Sequence, residues 1–253
     1  MDESGFLRFG TLEAIEGVRH LVTRRLPQEP LGYSLALHTG EDAALVRANR
    51  ERLRRHFGAS SRFVSVMQVH GDGIHRIDEA WEIGWRSLED APRADALLTD
   101  RPGVVLTILT ADCVPILLAD PRRRVVGAVH AGWRGTAAGI VAKTVAAMCE
   151  GYGCDPREIY AAIGPSIGGC CYEVGEEVAE AFGGTEGALL RSDGRWHLDL
   201  KEANRLQLLA SGVTAGRIEC SPVCTACERE RFFSYRAEEG CSGRFASCIM
   251  LEP

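Results

Sequence analysis

Residues 104–131 read VVLTILTADCVPILLADPRRRVVGAVHA, and this stretch decides the fold class. It contains three apolar runs, VVLTILT, VPILLAD and VVGAVH, each of strand length and separated by turn residues such as Asp120-Pro121. Near-continuous apolar character, in place of strict alternation, marks strands covered on both faces. Working outward, FVSVMQVH from Phe63, ALLTD from Ala96, IYAAIG from Ile159 and FASCIML from Phe245 read as further strands. Helical patterns separate them. Glu41 to Phe57 is amphipathic with basic residues in its last turns. Thr136 to Cys149 places Ala137, Ile140, Val141, Val145 and Met148 on one face, and Glu176 to Phe182 and Leu200 to Ala210 follow. The alternation predicts α/β layers and leaves the strand order open.

The 253 residues suffice for one large domain or two small ones, and no repeat, low-complexity tract or linker divides them. Apolar residues make up 45% and charged residues 25%, the balance of an ordinary globular protein. A net charge of -6 with mixed signs argues against nucleic acid as a partner. The opening MDESGFLRFG lacks the layout of a secretory signal, and no apolar run reaches bilayer length, so the expectation is a cytoplasmic protein without membrane partners.

Three apolar runs end in chemistry-bearing groups. SVMQVH ends at His70, LTILTADC places Asp112 and Cys113 beyond a buried run, and VVGAVH ends at His130. Rigid elements hold groups at their ends, and the small residues beyond leave room for a ligand. Two imidazoles and a thiolate form a zinc set with a fourth position open for water or substrate. On spacing alone, each also reads as an ordinary structural residue. After His130, Gly132 and Gly135 allow close backbone approach, Thr136 reads as a helix cap, and Arg134 with free N–H groups suits an anion such as phosphate. An equally good reading is a tight turn with Arg134 in a surface ion pair.

Ten cysteines in a reducing compartment read as thiols and not as a disulfide framework. Cys149, Cys154 and Cys248 read as packed small hydrophobes. Cys224 and Cys227 have knuckle-like spacing near Cys220 and Cys241, but no second C-x-x-C follows, so free thiols are favoured over a second metal. The adjacent Cys170 and Cys171 rarely suit joint chelation.

The motifs together resemble those of the YfiH-type family, also called the multicopper polyphenol oxidase or laccase-domain family. The resemblance is carried by QVHG (Gln68 to Gly71), ADALLTDRPGVVLTILTADCVPILLADP, VGAVHAGWRGTAAGIV, AAIGPSIGGCCYEVG, FFSYR (Phe232 to Arg236) and GRFASCIML. It implies a single α/β domain over residues 1–253, with layered mixed β-sheets flanked by helices, and zinc held by His70, Cys113 and His130. It further implies phosphorolysis of adenosine, inosine and S-methyl-5′-thioadenosine, adenosine deaminase activity, and for bacterial members a peptidoglycan-editing role. Copper and phenol oxidation are also ascribed to the family. Near the N-terminus, Ser34 stands where the family has asparagine, Ala36 where it has glycine, and Glu41 replaces an acidic residue, while Asn49-Arg50 persists.

The expectation is therefore a purine nucleoside phosphorylase acting as a monomer or homodimer. Arg50, Arg134 or Arg236 would neutralise phosphate, and Asp112 would support positive charge on the sugar. Asp112 also reads as a residue that merely shapes the Cys113 turn. A cysteine hydrolase with Cys113 as nucleophile is the rival reading, and a non-catalytic binding module the third. Multicopper oxidation fares badly, because His20, His38, His56, His75 and His197 are scattered away from the triad.

Overall fold

All three runs of the opening stretch form strands buried at every position, but they are divided between two sheets. The computed structural model describes residues 6–78, 82–89, 91–240 and 243–253. One sheet runs, in spatial order, β1 (Val18–Val22), β13 (Phe245–Leu251), β5 (Val104–Thr110) and β2 (Arg62–Val64). The second runs β12 (Ile218–Cys220), β8 (Tyr160–Ile163), β6 (Val114–Asp120), β7 (Val125–Ala131), β4 (Ala96–Thr99) and β3 (Ile74–Arg76). A small third sheet holds β10 (Leu189–Ser192), β11 (Arg195–Leu198) and β9 (Glu173–Val174). Both large sheets are mixed: β2–β5, β3–β4 and β12–β8 are parallel, whereas β13–β5, β6–β7 and β6–β8 are antiparallel.

Strand alternation explains the layering. Leu106 and Ile108 of β5 pack with Leu117 and Ala119 of β6 and with Val126 and Ala128 of β7, so the two sheets share one core. Val105 and Leu109 point the other way, toward Leu53 in the last turn of α2 (Ala43–Arg54) and Phe57 just beyond it. On the far face, Ile116 and Leu118 meet Ile140, Val141, Val145 and Met148 of α4 (Ile140–Tyr152) and Leu200, Ala203 and Leu208 of α6 (Leu200–Ala210). The result is helix, sheet, sheet, helix. Short helices α1 (Gly10–Glu13), α3 (Trp133–Ala137) and α5 (Glu176–Ala181) complete the order. Among the described residues, no helix is long and apolar enough to cross a membrane.

Two elements differ from the sequence expectation. The run FVSVMQVH leaves its sheet at Val64, and Gln68 takes over: its side chain both accepts from and donates to the backbone of Leu109. The helix expected from Thr136 begins at Trp133 and breaks at Gly139, which sits at φ 77°. Thr136 is not its cap; its backbone N–H already bonds Gly132, and its hydroxyl accepts from Asn204.

Candidate active site

The chain crosses from one large sheet to the other between Thr110 and Val114, and this crossing presents Cys113. Asp112 adopts φ 87°, a left-handed conformation that costs a non-glycine residue energy and needs support. Three tethers supply it. Thr225 Oγ1 donates to one carboxylate oxygen at 2.6 Å, the Arg236 backbone N–H donates to the other at 2.7 Å, and the Asp112 carbonyl accepts from Ile167 at 2.9 Å. Asp112 thus anchors its turn and also borders the cavity.

His70 lies in a turn at φ 61° beyond the end of β2. The carboxylate of Asp95, wholly buried, accepts backbone N–H bonds from Val69, His70 and Gly71 at 3.1, 2.9 and 2.7 Å. Its Oδ1 also lies 2.8 Å from Nδ1 of His130, which is itself buried near the end of β7. One carboxylate therefore positions both imidazoles. Two glycines close the arrangement. A Cβ on Gly132 would lie 3.0 Å from the His70 ring and 3.1 Å from Cys113 Sγ, and one on Gly135 would lie 2.7 Å from the Gly71 carbonyl oxygen.

The ligand atoms of His70, Cys113 and His130 all lie within 4.8 Å of one another, so three residues far apart in sequence converge. The donor set suits a zinc ion. Asp95 occupies Nδ1 of His130 and leaves Nε2 for ligation, an arrangement common around ligating histidines. Burial would push the Cys113 thiol up, yet the charge and hydrogen bond of His130, with the bond from His70, outweigh it and hold the thiol at about 6. Burial likewise opposes protonation of His130, but the Cys113 thiolate and the Asp95 bond raise it to about 9. Nitrogen and thiolate donors are thereby ready to exchange protons for a cation.

The triad opens into a cavity of about 490 Å³, a size typical of small-molecule sites. Arg236 borders it, its Nη1 held by the Glu173 carbonyl at 2.9 Å and its guanidinium over the Tyr172 ring. Arg50 does not. It is buried behind the site, donating to the carbonyls of Leu35 at 2.9 and 2.7 Å and to that of Trp85, and it stacks on the Trp85 ring. Arg134 is exposed, lies over Trp133, and does not line the cavity. Ser34 is buried and bonded to Glu41, while Asn49 donates to its carbonyl at 3.0 Å.

Several cavity residues lie outside the sequence expectation. His38, read as scattered, lines the cavity with the triad, as do Arg244, Tyr172 and Tyr235. The sequence does not single out Asp95 either; its only signal there is an acidic residue set directly before the apolar Ala96-Leu97-Leu98. The cysteine expectations divide. Cys154 and Cys248 are buried and Cys149 packs against the core. Cys224 and Cys227 meet Cys170 and Cys171, not Cys220, while Cys241 lies outside the described residues.

Comparison with known proteins places this geometry. Residues 26–252 match the family model described as multi-copper polyphenol oxidoreductase laccase. The chain is 39% identical to the purine nucleoside phosphorylase YlmD of Geobacillus stearothermophilus over 97% of its length and 94% of the relative's. It is 36% identical to a purine nucleoside phosphorylase of Bacteroides thetaiotaomicron over 97% and 96% of the two chains. The crystal structure of Geobacillus stearothermophilus YlmD superposes with a TM-score of 0.92 at 36% identity, covering 100% of this chain and 98% of that one. The Bacillus licheniformis hypothetical protein YfiH gives 0.89 at 36% identity, covering 95% of each. With the fold and the motif order in agreement, the chain belongs to the YfiH-type family, the multi-copper polyphenol oxidoreductase laccase family.

Proposed function

We propose that this chain is a zinc-dependent purine nucleoside phosphorylase. The observation that carries the reading is the convergence of His70, Cys113 and His130 in the wall of a cavity also bordered by the guanidinium groups of Arg236 and Arg244 and by two tyrosine rings. A zinc ion held by those three side chains would supply Lewis acidity at an open coordination position. The remaining roles belong to the chain. Arg236, fixed by Glu173, is placed to bind phosphate by charge-assisted hydrogen bonds. Tyr172 and Tyr235 offer faces for the purine ring. In the reaction, a phosphate oxygen bonds to the anomeric carbon as the bond from that carbon to the purine nitrogen breaks, and the departing base takes up a proton. The immobilised charge of Asp112 favours the positive character that develops on the sugar.

A cysteine hydrolase needs one imidazole beside its nucleophile. Here two imidazoles converge on one sulfur, which favours ligation. Multicopper oxidation needs a larger histidine set than the two that reach a shared ion among the described residues. The reading also includes adenosine, inosine and S-methyl-5′-thioadenosine as substrates, deamination of adenosine in which water adds to the purine carbon bearing the amino group and ammonia leaves, and a reducing cytoplasm that keeps Cys113 a thiol.

Zinc-loaded protein incubated with adenosine, with and without phosphate, tests the proposal. Adenine formed only with phosphate supports phosphorolysis, and inosine indicates deamination. If neither forms, the adenosine reading fails.

A further inference from the structure

Outside the cavity, the described residues bring a second set of metal-capable side chains together: Cys170, Cys171, Cys224 and Cys227. Their sulfurs all lie within 4.8 Å of one another. Three separations are given by direct contacts, 3.7 Å for Cys170–Cys171, 3.8 Å for Cys170–Cys227 and 3.4 Å for Cys171–Cys227. None is a disulfide, whose sulfurs sit about 2.05 Å apart. A tetrahedral zinc with Zn–S bonds of about 2.3 Å sets its sulfurs about 3.8 Å apart. The three separations suit thiolates that share one ion, and Cys224 Sγ lies within the same 4.8 Å limit.

We propose that Cys170, Cys171, Cys224 and Cys227 form a second, structural zinc site. Local backbone geometry supports it. Cys224 Sγ accepts the Gly168 N–H at 3.2 Å and also a bond from the backbone N–H of Cys227. Backbone donors aimed at the first sulfur of a C-x-x-C turn stabilise a thiolate there. Gly168 packs closely here, since a Cβ on it would lie 3.4 Å from Cys224 Cβ and 3.3 Å from Cys170 Sγ. The adjacent pair contributes two ligands because the turn ending at Tyr172, with Cys171 and Tyr172 both bonding the Gly168 carbonyl, turns both sulfurs toward Cys227.

Four protein ligands leave no open position, so the role is structural. The ion would join the loop of residues 164–172 to that of residues 221–236. Those loops already touch where Thr225 N–H bonds the Ser166 carbonyl at 3.0 Å. They carry Tyr172, Tyr235 and Arg236 of the cavity wall and Thr225, which holds Asp112. Binding releases the thiol protons and fixes one side of the cavity.

Metal analysis of the intact, reduced, zinc-loaded protein tests the site independently of the triad. Two zinc ions per chain are expected, falling to one in Cys113→Ala and to one in Cys171→Ser/Cys227→Ser. X-ray absorption on Cys113→Ala should then show a shell of sulfur alone at about 2.3 Å. Because the double variant could fail to fold, thiol alkylation mapped by mass spectrometry is run on the wild type. Zinc should protect Cys170, Cys171, Cys224 and Cys227, and chelation should expose them. A single zinc that disappears in Cys113→Ala, or alkylation of the four that zinc does not alter, overturns the proposal.

Discussion

Oδ1 of Asp95 sits 2.8 Å from Nδ1 of His130 while the same carboxylate accepts the backbone N–H groups that shape the His70 turn. Two of the three candidate ligands are thus oriented by one buried group. In Asp95→Asn the imidazole loses its anionic partner and the turn keeps only a weaker acceptor. Zinc affinity at the triad should fall by roughly 10–100-fold, with the far-UV circular dichroism retained. An unchanged zinc dissociation constant would show that Asp95 does not govern ligation.

Gly132 has φ -73°, so alanine meets no backbone strain there. The obstacle is space, since the added methyl would sit 3.0 Å from the His70 ring and 3.1 Å from Cys113 Sγ. Gly132→Ala should fold with a loss of about 1–3 kcal/mol and bind zinc more weakly than wild type. Calorimetric zinc titration beside a denaturant curve checks both; wild-type affinity would show that the triad yields freely.

Arg236 and Arg50 should separate cleanly. Removing the Arg236 guanidinium, one of two that border the cavity, in Arg236→Ala should raise the KM for phosphate by roughly 10–100-fold, the worth of a charged hydrogen bond, with little change in stability. Arg50→Met should do the reverse. It strips donors from the carbonyls of Leu35 and Trp85 and costs about 2–4 kcal/mol, while the KM for phosphate stays at the wild-type value. Steady-state kinetics with urea unfolding of both variants decides; a phosphate defect confined to Arg50→Met would reverse the assignment.

His20 gives a pH dependence remote from the site. It is buried, and its Nε2 accepts the Phe9 backbone N–H at 2.8 Å, which requires that nitrogen to be unprotonated. Burial, with Arg8 nearby, lowers it from 6.5 to about 4. The unfolded chain therefore binds the extra proton first as pH falls. The contribution is whole above pH 6.5 and lost progressively down to about pH 4, amounting to roughly 3 kcal/mol. His20→Gln keeps an acceptor without the titration, so its stability should fall less steeply than that of wild type between those pH values. Urea midpoints across the range measure this, and identical slopes would dismiss it.

The central strands were legible because their apolar runs are buried on both faces and coincide with the observed β5, β6 and β7. Leu200–Ala210 and Phe245–Leu251 were readable to the residue. Val18–Val22 was not, since VRHLV carries two polar residues, one of which, His20, is buried by pairing and not by its character. In the site, residues at run ends could be found; residues whose importance is a contact could not. Asp95 matters through His130, and His38 through where its loop arrives. Arg50 shows the opposite error, a cation whose sequence neighbours suggest a ligand but whose donors are consumed by carbonyls. The sharing of sulfurs by Cys170 and Cys171 also depends on a turn that residue spacing does not encode.

The crossing at Asp112 and Cys113 has a thermodynamic consequence. His70 follows the edge strand of one sheet, His130 belongs to the other, and Cys113 sits on the connection between them. An ion gripped by all three would rivet the two sheets to each other, and its binding free energy would enter the cooperativity of unfolding. Demetallated protein should then melt lower and over a broader range as the sheets begin to part separately, and added zinc should raise the midpoint with the logarithm of its free concentration.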